Sequence, residues 1–577
     1  MTYPRLAAAT LLLATLVPTS RPLTAQAPMS PRDSAVHALN RLAFGPLPGQ
    51  VEEVAAGGVM RWIERQLAPA TGPDRALIQR ERQFDVLRRS PDDLARDFAE
   101  LRQQLVRARA DAARQSNGGS SPDQRREQLK GQNAGAELRR LGAELQQLAV
   151  VRATTAERQL DEVMVDFWVN HFNIFIGKSL DRVLLPDFVE HTIRPNAMGR
   201  FEDLLIATAK SPAMLVYLDN AESVAPGAVP PRLARLERGR DAAPAPLAGR
   251  GAPGRRLRGR NGGAGGRMER ARLDSIMRSI RERLPKGINE NYARELLELH
   301  TLGVDGGYSQ DDVINVARIL TGWSVKRPAE GAGFQFNDWA HDRGAKTVLG
   351  VEFPAGHGED EGMRLLRLLA GHPSTMHHIS GKLCQRFVSD TPPDGCIDDA
   401  VRAWKRTGGD IRAVVSAIVH SPDFWARPDR RTKVKTPLEF VASAVRAVGG
   451  EPDSTMRLAQ VVARLGQPLF QHVAPNGYPE RDEDWVSSGA LLNRMNVAMA
   501  LASGRLPGVM VDLDRILPAT ADHDTLVAAI DRRLLGGTMS ERTRRVIRDQ
   551  LEDLRDPAQA RALAVGLALG GPEFQQQ

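Results

Sequence analysis

The sequence lacks a Gly-x-x-x-x-Gly-Lys-Ser/Thr loop, a Gly-x-Ser-x-Gly elbow, a His-Glu-x-x-His motif and a Cys-x-x-Cys pair. These absences exclude P-loop nucleotide hydrolysis, the serine of the α/β-hydrolases, the zincin metal site and dithiol redox chemistry in their usual forms. One stretch, Gly249-Arg-Gly-Ala-Pro-Gly254, does match Gly-x-Gly-x-x-Gly. No strand pattern precedes it and Pro253 lies inside it, so it is not a dinucleotide site. Long apolar runs are missing too. Beyond the N-terminus no segment is apolar enough to span a bilayer, and no cysteine follows the N-terminal apolar run to carry a lipid. Cysteine is nearly absent, with two in 577 residues. Cys384 and Cys396 lie twelve residues apart across a Pro-Pro-Asp-Gly turn. In an oxidising compartment they are expected to form a disulfide contributing ~3 kcal/mol by closing a short loop; the alternative is two unpaired residues.

What is present is a chain 42% hydrophobic and 26% charged, long enough for one large core or several ordinary ones. Residues 1–27 read as a secretory signal peptide: Arg5, an apolar run from Leu6 to Val17, then Ala25-Gln26-Ala27. Pro28 disfavours cleavage after Ala27, which leaves Ala25 as the alternative. Export to the periplasm or beyond is therefore expected. The net charge of +8 is local. Between Ala221 and Lys286 fifteen Arg and one Lys face six acids, a surplus of +10 that leaves about −2 for everything else. Rich in Pro, Gly, Ala and Arg, residues 221–285 are expected to be a disordered insertion. That insertion is a possible contact for an anionic polymer, nucleic acid included; a solvated linker is the alternative.

Elsewhere the 3.6-residue period dominates. Ser30-Pro31-Arg32-Asp33 reads as a capped helix start, and 28–90 as an N-terminal helical segment. In 91–150, Leu94, Phe98, Leu101, Leu105 and then Leu138, Leu141, Leu145, Leu148 step by three and four, predicting a helical hairpin. Residues 151–220 read as core helices, with Leu160, Val163, Met164, Phe167, Trp168, His171 and Phe172 on one stripe. Residues 286–505 return to core helix, apart from a small antiparallel ribbon near 334–353 that projects His341 and Asp342. Residues 506–577 read as a C-terminal helical cap. The fold class expected is mainly α: a large multi-helix bundle with one ribbon and a disordered insertion.

The most organised stretch runs from Asn289 to Trp323, as two helices joined by a Gly-rich turn. Gly303 stands where a left-handed residue ends the first helix, and Ser309 with Asp312 forms a capping box for the second. Asp305, Ser309 and Asp311 around this turn fail the EF-hand spacing; turn and cap chemistry accounts for them. This stretch resembles the signature of the bacterial family called domain of unknown function 1800. So do His37-Ala-Leu-Asn-Arg-Leu-Ala-Phe-Gly-Pro46, Phe167-Trp-Val-Asn-His-Phe172, His341-Asp342 with Lys346-Thr-Val-Leu-Gly350, Lys433-Val-Lys-Thr-Pro-Leu-Glu-Phe440, and Leu465-Gly-Gln-Pro-Leu-Phe470 with Asn493-Arg494. The motifs keep the family's order over roughly residues 33–505. The resemblance implies a large, mostly helical, usually exported protein without an established activity. It also implies an exported sulfatase-like partner, since members often sit beside such a family.

The candidate chemistry follows from polar residues inside these motifs. On the 290–302 helix Asn291, Arg294, Glu295 and Glu298 share one face, opposite Tyr292, Leu296, Leu299 and His300. A Glu295/Glu298 pair one turn apart can chelate a divalent metal or divide into acid and base. The alternative is a solvated face with an Arg294–Glu298 ion pair. His171 and His300 lie on apolar faces, where satisfied core histidines are the plain alternative. The expectation is a polar cleft between helices 157–176 and 288–302 and the ribbon. Glu295 and Glu298 would act as base or metal ligands, with His341 and Asp342 as acid and orienter. Asn170, Asn291, Arg294, Arg318 and Lys435 would bind substrate, the last two its anionic group. His171, Glu290 and His300 would ligate a divalent metal. The function expected is an extracytoplasmic hydrolase for ester or glycan-type substrates. The alternative is a non-catalytic secreted binding or scaffold protein that docks an exported partner through the 91–150 hairpin and the Arg-rich loop.

Overall fold

The computed structural model describes residues 29–114, 122–178, 180–241, 271–272, 274–279, 282, 287–426, 431–520 and 522–577. The signal expected at 1–27, most of the hairpin turn and residues 242–270 of the Arg-rich insertion lie outside them. The described residues are mainly α-helical, with three two-stranded antiparallel ribbons.

Capping chemistry starts the helices where the sequence places it. The Ser30 hydroxyl accepts the Asp33 N–H at 3.1 Å to open α1 (Pro31–Arg41), with Pro31 at the first position. The hairpin comprises α2 (Pro91–Arg114) and α3 (Pro122–Thr155), packed along each other. The C-terminal half of α3 leaves the hairpin and enters the body, burying Leu141, Leu145 and Leu148. Helix α4 (Gln159–His171) buries the predicted stripe from Leu160 to His171. The short α5 (Pro212–Tyr217) ends at Asp219 in the left-handed region. Within the insertion expected to be disordered, Pro231–Asp241 is helical.

Helices α6 (Glu290–Glu298) and α7 (Gln310–Ile319) form the central pair. Gly303 between them has φ +87°, and a Cβ there would meet the His378 ring at 2.9 Å, so both backbone and space require glycine. The Ser309/Asp312 capping box is present. The expected single ribbon is two. β1 (Trp323–Val325) pairs with β2 (Phe334–Phe336), and β3 (Lys346–Val348) pairs with β4 (Val351–Phe353). Phe334-Gln-Phe336 turns back onto Trp323-Ser-Val325 rather than onto 346–353, and His341 and Asp342 lie on the connection between the two hairpins.

Helices α8 (Glu359–Ala370), α9 (Pro373–Phe387) and α10 (Asp394–Thr407) follow. Cys384 on α9 and Cys396 on α10 form a disulfide with Cα atoms 6.2 Å apart. Helix α11 (Pro437–Ala447) carries a Thr436/Glu439 capping box. The C-terminal cap joins the same core through α12 (Ser488–Ala502) and α13 (Pro557–Gly570), an extensively packed pair. Gly566 and Gly570 make that closeness possible: a Cβ on either would lie 2.3 or 2.4 Å from the sulfur of Met499 or Met495. One apolar cluster thus runs from Ala35 to Phe574. No described helix is long and apolar enough to cross a membrane.

Candidate functional site

The residues expected to form one cleft are divided among separate places. His341 and Asp342 belong to an ion network. Asp342 takes the Arg318 guanidinium through both oxygens, at 2.9 and 3.1 Å. Lys346 bonds Glu361 at 2.6 Å and also donates to the Asp342 carbonyl. His341 bonds the Thr321 carbonyl at 3.0 Å and lies 3.5 Å from Glu361. His341, Lys346 and Glu361 are each at most 5% exposed. Arg318 and the Gly344 N–H hold the Asp342 carboxyl below its usual range, against the opposing effect of burial. Buried charges have to be paired. These pairs pin the ribbons to α7 and α8 and engage Asp342 and Arg318 with each other.

The carboxylate face of α6 forms a clasp with the start of α7. Gln310 accepts from Arg294 at 2.9 Å and donates to Glu290 at 2.8 Å. Glu298 accepts the Tyr308 hydroxyl at 3.1 Å, so the Arg294–Glu298 pair does not form. Asn291 is exposed. Burial and then Glu298 raise the Glu295 pKa, the one feature here that favours acid–base work. His171 and His300 stand 6.2 Å apart between ring centroids. The His171 Nε2 faces the His300 carbonyl at 3.3 Å, and its Nδ1 faces Lys382 Nζ at 3.0 Å. Burial and the Lys382 charge lower both histidines, His300 to about 3. Glu290 is tied to Gln310 and does not join them. Among the described residues no group of three or more His, Cys, Asp or Glu side chains is placed to hold a metal.

A pocket, open in part to solvent, lies on the other side of α4. Val165, Val169 and the polar Glu162, Asp166 and Asn170 line it from α4; Leu145, Leu148 and Arg152 line it from α3; Phe470, Tyr478 and Glu480 line it from the 467–480 segment. Paired amide bonds hold that segment in place: Asn170 donates to the Tyr478 carbonyl at 2.8 Å and accepts its N–H at 2.7 Å. Asn173 donates to the carbonyls of His472 and Ala474 at 3.0 and 2.8 Å. Asn170 thus reaches the pocket wall, yet its amide is spent on the segment rather than left for a ligand.

The polar end of the pocket centres on Arg386 of α9, which is 5% exposed. Its Nη1 lies 2.9 Å from Glu439 and 3.6 Å from Glu480, and its Nη2 lies 3.7 Å from Asp166. The three carboxylates have different roles. Glu439 is fully engaged, accepting the Thr436 N–H at 2.8 Å and the Gln577 amide at 3.0 Å besides Arg386. These contacts hold it below its usual range despite burial. Asp166 is pushed up to about 7, first by burial, with Glu439 and Glu480 adding to it and Arg386 opposing. Glu480 shares Arg386 with it. A second set of ion pairs closes the far wall: Arg152 holds Glu190 at 2.5 and 2.9 Å, and Arg194 holds Glu162 at 2.7 and 3.0 Å. Besides the engaged Glu439, Arg386 thus gathers Asp166, pushed up by burial, and Glu480, two carboxyl groups of the kind an acid–base pair uses.

The family model described as a protein of unknown function (DUF1800) matches residues 37–576. The chain belongs to this family. The match continues through α13, well past Arg505, where the motifs recognised in the sequence end. No curated protein and no solved structure matches the chain. Within this family member, sequence reasoning missed Asp166, Arg386 and Glu480. One signal was available: Glu162, Asp166 and Asn170 recur every four residues on the side of α4 opposite its apolar stripe.

Proposed function

We propose that this family member is an exported acid–base hydrolase whose catalytic pair is Asp166 and Glu480 in the α3–α4 pocket, acting on a glycan-type or ester bond. The observation that carries the reading is the convergence of Asp166 and Glu480 on the buried Arg386 at the polar end of this pocket, where burial pushes the Asp166 carboxyl up to about 7. Asp166 donates its proton to the leaving oxygen, Glu480 activates water, and Arg386 fixes both carboxylates. A pair of acids in these roles is the pattern of glycosidic hydrolysis, which places glycans first. Leu145, Leu148, Val165 and Val169 offer an apolar wall for the remainder of the substrate. Export is supported by the signal-like residues 1–27 and by the Cys384–Cys396 disulfide.

The test is a screen of chromogenic glycosides and esters with the mature protein, Asp166→Asn, Glu480→Gln and Glu295→Gln. Turnover lost in the first two and retained in Glu295→Gln supports the assignment; turnover retained in Asp166→Asn removes it. A binding or scaffold role toward an exported partner is the second reading. It is favoured by the exposed Val486, Leu491 and Leu492 at the start of α12, at 45, 41 and 62%.

A further inference from the structure

Residues 575–577 run antiparallel beside 433–435. Gln577 donates its N–H to the Lys433 carbonyl at 2.8 Å, Lys435 donates to the Gln575 carbonyl at 2.9 Å, and Val434 bridges Gln576. The same 433–435 segment also holds the pocket wall. Lys433 Nζ donates to the Glu480 carbonyl at 3.2 Å, and Val434 donates its N–H to Asp482 at 2.8 Å. One side chain of the tail reaches further. Gln577 is buried, and its amide donates to Glu439 Oε1 at 3.0 Å. That oxygen also takes Arg386 Nη1 at 2.9 Å, while Oε2 is held by the Thr436 N–H at 2.8 Å. Arg386 in turn lies 3.6 Å from Glu480 and 3.7 Å from Asp166. A continuous path of polar contacts thus runs from Gln577 to both members of the pair.

Resting on the acid–base reading of that pocket, we propose that Gln577 is a positioning residue: by sharing Glu439 Oε1 with Arg386, it leaves the guanidinium extended toward Asp166 and Glu480. The physical reason is competition for one oxygen. A buried carboxylate needs its lone pairs filled. With the amide in place, Oε1 is satisfied from two sides. Without it, Arg386 is the sole donor to Oε1, and the guanidinium is drawn toward Glu439 and away from the other two carboxyl groups. Glu439 stays ionised, since Arg386 and the Thr436 N–H remain. The charges that face Asp166 are Arg386, which opposes its protonation, and Glu439, Glu480 and Glu162, which favour it. A receding Arg386 weakens the opposing charge, so Asp166 binds its proton more tightly. The Gln577 main-chain bond to Lys433 does not involve the side chain, so the amide can be removed without releasing the tail.

The experiment is carbon-13 NMR titration of the full chain, labelled at the aspartate carboxyls, in wild type, Gln577→Met and Gln575→Met. Gln577→Met keeps the length of the side chain and loses the amide. Gln575→Met loses a buried amide of the same tail that bonds the Gly570 carbonyl at 2.7 Å rather than Glu439, so it reports general loosening. Circular dichroism confirms that both are folded. The Asp166 titration is expected to move up by about half a pH unit or more in Gln577→Met and to stay in place in Gln575→Met. Gln577→Asn, which draws the amide back by one methylene, is expected to move it the same way and serves if Gln577→Met does not fold. An Asp166 titration near pH 7 that the Gln577 variants leave unmoved, or that Gln575→Met moves equally, overturns the role and leaves the acid–base reading in place. Wild-type Asp166 titrating near pH 4 overturns both.

Discussion

Asp166 holds its proton more tightly in the folded chain, near pH 7, than at its ordinary value of 3.8. Its contribution to stability is therefore complete below about pH 4 and is lost as pH rises through 7. Asp166→Asn cannot ionise. In urea unfolding it should match wild type at pH 4 and exceed it by roughly 1–4 kcal/mol at pH 8. In turnover it should lose about 100-fold or more, the contribution typical of a positioned acid. His341 has a structural part instead. Held by Thr321 and set against Glu361, it secures the ribbons, so His341→Ala should cost about 2–4 kcal/mol of stability. Catalysis by the variant that remains folded should be unchanged. Loss of turnover in a stable His341→Ala protein would restore the role first expected for it.

At the scale of elements, α4 shows what a sequence discloses. Its apolar stripe from Leu160 to His171 was legible because burial imposes a 3.6-residue period. The opposite face, with Glu162, Asp166 and Asn170, carries the same period, but a polar face looks alike whether it meets water or a pocket. Only α3, α9 and the 467–480 segment, distant in the chain, decide which it is. The capped starts at Ser30, Ser309 and Thr436 were legible because caps are local. The partner of Phe334-Gln-Phe336 was not, because short alternating strands do not name what they pair with. The α9–α10 link through Cys384 and Cys396 also belongs to this scale. Reducing it should cost ~3 kcal/mol, read as a lower urea midpoint with dithiothreitol. An unchanged midpoint would mean that the buried sulfurs contribute by packing alone.

Across the whole molecule, the buried and half-buried polar residues serve two ends. Arg318 with Asp342 and Lys346 with Glu361 lock helices and ribbons around one core, as does Glu290 with Gln310. Arg386, from none of the motifs read in the sequence, gathers Asp166 and Glu480 from positions 166 and 480 into one pocket. A motif search weighs residues by where they fall in the chain, and so favoured the first group over the second. The account rests on Asp166 being the protonated member of that pair. Carboxyl-labelled aspartate followed by carbon-13 NMR, with Asp166→Asn to assign the signal, measures this without knowledge of the substrate. A single carboxyl titrating near pH 7 and absent from the variant is the predicted result. An Asp166 signal that titrates near pH 4 would contradict the account.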